Sequence, residues 1–165
     1  MKDRWRGRRA AGLAVVALLG VVIAGAARAS DEPASWLVVR DEAGVVLARV
    51  EVPASNEFSL RYRNSIYQSL AEEQFSLSDG RLTLVSLEAE ELAVLEEYYG
   101  AFGASRSGSG WKVPVQRPPV DLPLHIQATA LGERTLLVND QELRLWQLVA
   151  GRDDTTVILS VEHGA

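Results

Sequence analysis

The sequence feature that most constrains the fold is residues 58–77, where apolar and polar side chains alternate in two runs. The apolar members of the two runs are Phe58, Leu60, Tyr62, Phe75 and Leu77. A period of two is typical of β-strands that bury one face, because successive side chains of a strand point to opposite sides. Only residues 65–70 separate the two runs, so the sequence predicts two neighbouring antiparallel strands paired across this short segment.

Two polar residues fall on the faces that these apolar side chains occupy. Counting by twos, Asn64 continues the face of the first run and Glu73 precedes the apolar residues of the second. We expect the strand pairing to bring both to one end of the core, beside Tyr62, Ser65 and Glu72. Because a buried amide or carboxylate without a partner is costly, this polar cluster needs hydrogen-bond partners or a ligand.

The polar cluster has a structural and a functional interpretation. In the first, Asn64 caps the strand end and Glu73 accepts hydrogen bonds from backbone amides or from Ser65. In the second, the cluster forms a small recess at the rim of the sheet that holds a ligand or a partner's peptide. The residue types alone do not decide between the two.

Charged residues outside the cluster are expected to serve the surface. Arg61 and Arg63 alternate with the apolar face and are predicted to meet Glu72 as a surface ion pair that supports the strand register. The glutamates of residues 88–97 lack the spacing of a calcium loop and indicate a solvated face. The chain has 2 histidines, neither near a second imidazole or thiolate in sequence, so no metal site is predicted.

The first 29 residues are expected to be an export signal. A basic opening precedes residues 10–26, an uninterrupted run of apolar and small residues, and Ala27 and Ala29 match the small-x-small pattern of signal peptidase before Ser30. A retained membrane anchor is the alternative, because about 17 apolar residues are the lower limit for a spanning helix. We therefore expect a periplasmic or otherwise extracytoplasmic protein that contacts the membrane only through an uncleaved segment.

Residues 30–165 are strongly acidic once this segment is set aside. The chain has 17 Lys and Arg and 22 Asp and Glu; 6 basic residues and 1 acidic residue precede residue 30, which leaves 11 and 21 and a charge of −10. Because affinity for phosphates depends on clustered Lys and Arg, no nucleic-acid partner is predicted. The chain has no cysteine, which excludes disulfides and thiolate chemistry.

The rest of the chain consists of short apolar runs separated by turn residues such as Asp79-Gly80. Strands are predicted at residues 36–40, 45–52, 58–63, 73–77, 81–87, 124–130, 135–138, 142–148 and 155–161. We expect a single all-β domain over residues 30–165, an antiparallel β-sandwich or partly open barrel of about nine strands. Residues 90–99 are predicted to form a short helix or an irregular crossover, and a strand is the alternative.

Common catalytic signatures are absent from the sequence. No G-x-S-x-G motif occurs, and residues 108–113 lack the last glycine of a dinucleotide-binding fingerprint. No cofactor is therefore predicted. The absence of these catalytic motifs favours a domain that is not an enzyme.

Part of the chain resembles the DUF1850 family, bacterial domains of unknown function that are often encoded beside TRAP transporters of the TAXI type. The family pattern runs Tyr-x-His-Ser-hydrophobic, Thr-Pro-Val, Glu-Glu-x-aromatic and Phe-Gly-Ala-Gly. The matching positions are Tyr62, Ser65, Ile66, Glu72, Glu73, Phe75, Phe102, Gly103 and Ala104. Asn64 replaces the family's His, Leu70 its Pro and Ser105 its second Gly. Since an amide does not titrate in the relevant range, the resemblance implies a structural or binding role rather than proton transfer.

These observations predict an exported, non-enzymatic domain that binds a solute, a receptor or a permease outside the cytoplasmic membrane. The resemblance implies that the partner is a TAXI-type TRAP receptor or permease. One alternative is a small hydrolase or isomerase with Glu73 as general base and Ser65 nearby. Another is a purely structural envelope domain, anchored by residues 10–26.

Overall fold

The computed structural model describes residues 34–164. The predicted signal segment, with Ala27, Ala29 and Ser30, lies outside the described residues. Across residues 34–164, none of the helices has the length and apolar character needed to cross a membrane.

The described residues form twelve strands and two short helices. The strands are β1 (Ser35–Arg40), β2 (Val46–Glu51), β3 (Glu57–Arg63), β4 (Leu70–Ser78), β5 (Arg81–Ala89), β6 (Ser105–Ser107), β7 (Gly110–Pro114), β8 (Val120–Asp121), β9 (Leu124–Gln127), β10 (Thr135–Val138), β11 (Gln141–Arg144) and β12 (Thr156–His163). The helices are a π-helix (Val94–Tyr98) and α1 (Leu145–Leu148).

The strands form two antiparallel sheets that pack as a sandwich. The smaller sheet has four strands in the order β2-β1-β12-β9, and the larger has eight, in the order β11-β10-β3-β4-β5-β7-β6 with β8 paired to β5. The predicted all-β class and antiparallel sandwich are confirmed, and neither sheet of the described residues closes into a barrel. The three strands beyond the nine predicted are β6, β7 and β8. β6 and β8, with three and two residues, are too short to show alternation, and the five residues of β7 lie between a Gly- and Ser-rich loop and a proline-rich segment.

Two hairpin turns follow directly from local sequence. The β4–β5 turn has positive φ at Asp79 (51°) and Gly80 (71°), and the β10–β11 turn has positive φ at Asn139 (48°) and Asp140 (61°). Positive φ at both central residues gives a turn whose twist matches that of the flanking strands. Both hairpins were predicted from these residue types, and both are confirmed.

The predicted strand at residues 142–148 is wrong in its second half. β11 ends at Arg144, and Leu145–Leu148 form the helical turn α1. Leu145 and Val149 are both buried in the core, and a spacing of four residues places them on one face of a helical turn. Burial of both side chains explains why the chain leaves the strand conformation here.

The larger sheet buries the face that carries Phe58, Leu60 and Tyr62, which we call the inner face. One part of it is covered by the smaller sheet, and the side chains between the sheets form the sandwich core. Its fully buried members include Leu37, Val39, Leu60, Leu82, Leu136, Leu145, Val157 and Leu159. These residues come from both sheets, so the sandwich core holds the two layers together.

The other part of the inner face is covered by residues 90–102, which we call the cap. Its central element is the predicted short helix, confirmed as a π-helix in which the Tyr99 N–H donates to the Val94 carbonyl (3.3 Å). The cap and the sheet beneath it enclose a second cluster, the cap core. Its buried members are Tyr62, Ala71, Leu87, Ala89, Val94, Leu95, Ala101 and Val113.

A β-bulge in β5 keeps both parts of the inner face apolar. Gln74 pairs with Ser86 but Phe75 pairs with Leu84, which leaves Val85 without a partner residue on β4. The extra residue lets Leu84 and Leu87 face the same side although they are three positions apart. Opposite them on β4, Glu73 pairs with Leu60 and Leu87, between the sandwich core and the cap core.

Candidate functional site

Asn64 holds the turn between β3 and β4. Asn64 is only 3% exposed, and its side-chain Oδ1 accepts hydrogen bonds from the backbone N–H groups of Ile66 (2.9 Å) and Tyr67 (3.1 Å). Its own N–H donates to the Ser69 carbonyl and its carbonyl accepts from the Gln68 N–H, both at 2.8 Å. The turn's backbone groups are therefore satisfied largely by one residue, as the capping interpretation expects.

Glu73 lies two residues before Phe75 on the inner face, with its side chain 19% exposed. Its Oε1 accepts a hydrogen bond from the Tyr99 hydroxyl (2.7 Å), and its Oε2 lies 3.8 Å from Nη1 of Arg134. The prediction that Glu73 accepts hydrogen bonds from backbone amides or Ser65 is wrong. Its carboxylate instead contacts a tyrosine of the cap and an arginine that precedes β10. Ser65 is exposed at the turn, where its carbonyl accepts a hydrogen bond from Gln68 Nε2 (2.6 Å).

Two tyrosine hydroxyls form a hydrogen-bonded chain that ends at Glu73. The hydroxyl oxygens of Tyr62 and Tyr99 are 2.7 Å apart. Because Tyr99 gives its only hydroxyl proton to Glu73, Tyr62 must donate to the Tyr99 oxygen. The predicted amide and carboxylate form no hydrogen bond with each other, since Asn64 binds the turn and Glu73 binds Tyr99. We call Tyr62, Tyr99 and Glu73 the tyrosine network.

Burial keeps both tyrosines of the network protonated. It raises the pKa of the Tyr99 hydroxyl far above its usual 10.0, and the adjacent Glu73 carboxylate raises that pKa further. Burial also raises the pKa of Tyr62 above its usual 10.0. Since a phenolate would form beside a carboxylate in a partly desolvated position, the neutral hydroxyls are strongly favoured at physiological pH.

Two arginines flank the network. The Arg134 guanidinium lies over the Tyr62 ring, 4.8 Å from its centroid. Arg117 donates from Nη2 to the Tyr99 carbonyl (2.8 Å), and its guanidinium lies 5.9 Å from the centroid of the Tyr99 ring. Contacts of this type combine cation–π attraction with apolar packing, so they hold both arginines near Glu73.

A cleft of about 650 Å³ opens beside the network. Its floor is the inner face, and its walls are residues 117–120 and β9, an edge strand of the smaller sheet. The apolar side chains that line it are Leu60, Phe75, Leu82, Leu84, Val120, Leu124 and Ile126. The charged or polar side chains that line it are Glu73, Arg117, His125, Gln127 and Arg134. Apolar walls with a few converging polar groups are typical of small-molecule sites.

Glu72 lies on the opposite face of the larger sheet, away from this cleft. It is directly across from Arg61 in the register of β3 and β4, yet Arg61 pairs with Glu142 (2.6 Å) and Arg63 with Glu133 (3.1 Å). The predicted pairing of these arginines with Glu72 is therefore wrong. The reason is that β10 and β11 extend the sheet beyond β3 and bring other carboxylates within reach.

The loop that carries Phe102, Gly103 and Ala104 ends the cap. Phe102 is 73% exposed, Gly103 has a φ of 82° that favours glycine, and Ala104 packs against the cap core. Gly103 thus allows the sharp change of direction that leaves one large aromatic side chain in solvent while its neighbour is covered.

Phe102 belongs to a group of exposed apolar side chains at one end of the larger sheet. They lie on three loops that contact one another through the Tyr67 hydroxyl and Glu97 (2.6 Å) and through the Arg63 N–H and the Gly132 carbonyl (2.8 Å). The members of this apolar tip are Ile66, Tyr98, Phe102 and Leu131. Large apolar side chains grouped in solvent are typical of interaction surfaces.

Sequence reasoning missed three residues of the site, Tyr99, Arg117 and Arg134. No group of three or more His, Asp or Glu side chains within residues 34–164 is placed to hold a metal ion. Comparison of the chain with family models, curated proteins and solved structures found no match. The resemblance to the DUF1850 family therefore stays a prediction, and a function can be inferred only from the geometry of the site.

Proposed function

We propose that the protein is an exported, non-enzymatic accessory domain that holds a small organic ligand in the cleft beside Glu73. The observation that carries this proposal is the cleft itself, with an apolar floor and converging polar side chains at one side. Such a site can bury the body of a ligand and orient its polar end. The predicted export signal and the resemblance to transporter-associated domains support action outside the cytoplasmic membrane.

The state of Glu73 favours binding over catalysis. One carboxylate oxygen accepts the Tyr99 hydroxyl, and the other forms an ion pair with Arg134 at 3.8 Å. A general base needs an oxygen within hydrogen-bond reach of its substrate, and the substrate would have to approach the oxygen that faces this guanidinium. Ser65, which that alternative expects near the base, is exposed at the turn next to Asn64 and is not among the residues that line the cleft. A hydrolase or isomerase that uses this pair has correspondingly less support.

Ligand binding in the cleft is tested with N-phenyl-1-naphthylamine, a neutral apolar probe whose fluorescence rises on leaving water. Leu124→Trp enlarges a side chain on the cleft side of β9, and overfilling a packed site costs about 1–3 kcal/mol, so we expect about 5- to 150-fold weaker binding. Val46→Trp is the matched control, because Val46 is an exposed aliphatic residue on β2, the other edge of the same sheet. Equal affinities in both variants, or no binding by the wild type, would contradict the proposal.

We further propose that a TAXI-type TRAP receptor or permease binds the apolar tip. Glu96 and Glu97 directly precede Tyr98 in the chain, so the tip fits a partner whose apolar patch is bordered by Lys and Arg. Phe102 is its most exposed member, and large aromatic side chains often dominate binding energy.

Co-purification from membranes with the receptor or permease tests this partner. Phe102→Asp is expected to abolish recovery of the partner, because it places a charge in the contact. Val45→Asp is the matched control, since Val45 is an exposed apolar residue of the β1–β2 turn. Failure of the wild type to recover either protein, or equal recovery by both variants, would count against the proposal.

A further inference from the structure

The charge of the cleft differs in sign from that of the protein around it. Its lining carries two positive side chains, Arg117 and Arg134, and one negative side chain, Glu73, which leaves an excess of one positive charge with His125 neutral. Residues 34–164 contain 11 Lys and Arg and 19 Asp and Glu, a charge of −8. A positive site on an acidic surface attracts an anion locally while the surface elsewhere repels it.

The two arginines keep hydrogen-bonding capacity for a ligand. A guanidinium has five N–H donors. Arg134 approaches Glu73 at 3.8 Å, which is longer than a normal hydrogen bond, and otherwise contacts the face of Tyr62. Arg117 gives one donor to the Tyr99 carbonyl. Among the described residues, these contacts use only part of the donors that the two side chains bring to the cleft.

The surrounding contacts hold the arginines in place before a ligand arrives. Arg134 is half-buried, stacked on Tyr62 and drawn towards Glu73, whose other oxygen is fixed by Tyr99. Arg117 is tethered to the backbone of Tyr99. Glu73 and Tyr99 therefore act as positioning residues, and preorganised donors bind an anion at a lower entropic cost than free side chains do.

The same arrangement limits the charge of the ligand. One negative group matches the excess positive charge, whereas a second would lie near the Glu73 carboxylate without a compensating partner. The floor and walls next to the arginines are apolar, with Leu84, Phe75 and Ile126 among them. These surfaces suit a hydrocarbon or aromatic body rather than a compact, fully hydrated ion.

We propose that the cleft binds an amphipathic organic monoanion, with its acid group on Arg117 and Arg134 and its apolar body on the inner face between them and β9. This inference rests on the proposed function, since it assigns a chemical class to the ligand of that same cleft.

A pair of matched fluorescent probes tests it. 8-Anilinonaphthalene-1-sulfonate is an anion, and N-phenyl-1-naphthylamine has the same ring skeleton without the sulfonate. We expect the wild type to bind the anion more tightly. The double substitution Arg117→Gln and Arg134→Gln removes both charged contacts, each worth about tenfold or more, so binding of the anion is expected to weaken by at least about tenfold and that of the neutral probe by less than about twofold.

The control is a second double substitution, Arg49→Gln and Arg106→Gln. These arginines also stack on aromatic rings, at 4.7 Å and 4.2 Å from the centroids of Trp36 and Trp111, but they do not line the cleft. The control removes the same charge and the same type of contact, so its affinity for both probes is expected to stay within about twofold of the wild type. Near-ultraviolet circular dichroism verifies that each variant is folded, and the single substitution of exposed Arg117 replaces the double one if that unfolds.

The limit on charge is tested by competition between 8-anilinonaphthalene-1-sulfonate and fatty acids of equal length. Decanoate is expected to displace the probe at a lower concentration than decanedioate. Equal binding of both probes by the wild type, or equal loss of both in the Arg117 and Arg134 variants, overturns the anion inference and leaves binding in the cleft intact. If neither probe binds the wild type, the proposed function itself fails.

Discussion

The inner face of the larger sheet is covered in two different ways. The sandwich core lies beneath a second sheet and is built from aliphatic side chains and the stacked rings of Phe58 and Phe75, whose centroids are 5.8 Å apart. The cap core lies beneath residues 90–102 and includes the hydroxyl-bearing side chains of Tyr62 and Tyr99. The side chains between the two sheets are apolar, whereas the cap core also contains the hydrogen bonds of Tyr99 with Tyr62 and Glu73.

The cleft is located where these two covers meet. The smaller sheet ends at β9, and Pro118 and Pro119 precede the two-residue strand β8. Proline cannot donate to a strand ladder, so the segment before β8 does not extend into a full strand that would cover the floor. This incomplete cover leaves the apolar floor open and the carboxylate of Glu73 at its side, and together they form the site.

The largest expected effect separates the two cores. Leu136 of the sandwich core and Leu95 of the cap core are both fully buried. Leu136→Ala is expected to lower the free energy of unfolding by about 2–5 kcal/mol, as for other buried leucines. Leu95→Ala is expected to cost less, because a short cap can detach locally while the sandwich remains folded.

Urea unfolding and amide hydrogen exchange measure this difference. In Leu95→Ala, exchange should accelerate mainly in residues 94–101. Equal losses of global stability, with no local increase in exchange, would mean that the cap and the sandwich unfold as one cooperative unit.

Removing the side chain of Asn64 should have the next largest effect. Asn64→Ala leaves the partly buried N–H groups of Ile66 and Tyr67 without their acceptor, at an expected cost of about 2 kcal/mol. Thermal unfolding followed by circular dichroism gives the value. Ser65→Ala, at the exposed neighbouring position, should change stability by no more than about 0.5 kcal/mol. A comparable loss in both variants would refute the capping role.

Glu73→Gln tests the contact between the cap and the sheet. The amide oxygen can still accept the Tyr99 hydroxyl, but the charge opposite Arg134 is lost, so we expect a cost of about 1–2 kcal/mol. Chemical denaturation gives the difference in free energy. Glu72→Gln is the matched control on the opposite face and should stay within about 0.5 kcal/mol of the wild type. If the two substitutions cost the same, Glu73 does not attach the cap.

Tyr99→Phe should have the smallest effect at neutral pH and a clear effect in alkali. Because the pKa of Tyr99 is raised in the folded protein, its contribution is fully present below the ordinary pKa of 10.0 and is lost as the pH rises above that value. The wild type should therefore lose about 1.4 kcal/mol more per pH unit above 10 than Tyr99→Phe.

Stability measured between pH 8 and pH 11 gives the two slopes. Tyr98→Phe, which changes the exposed neighbour, should keep the wild-type slope. Identical slopes for wild type and Tyr99→Phe would show that Tyr99 ionises freely in the folded protein.

Local patterns in the sequence determined much of this protein. The alternation of Phe58, Leu60 and Tyr62 predicted strands, and Asp79-Gly80 predicted a hairpin, and the structure contains both. The sequence also predicted that Asn64 caps the end of its strand, as its hydrogen bond with the Ile66 N–H shows. These features depend on the period of a strand, the φ angles that a turn requires and hydrogen bonds between residues close in sequence, so the residues themselves reveal them.

The site was decided by the tertiary structure. Tyr99 contacts Glu73 although it lies 26 residues away in the chain. Arg134 directly precedes β10, and β10 lies beside β3 because Leu136 pairs with Leu60. The partners of Arg61 and Arg63 were assigned wrongly for the same reason. Which charges meet depends on strand order and register across the whole sheet, and a local pattern contains no information about residues that pairing brings together from distant parts of the chain.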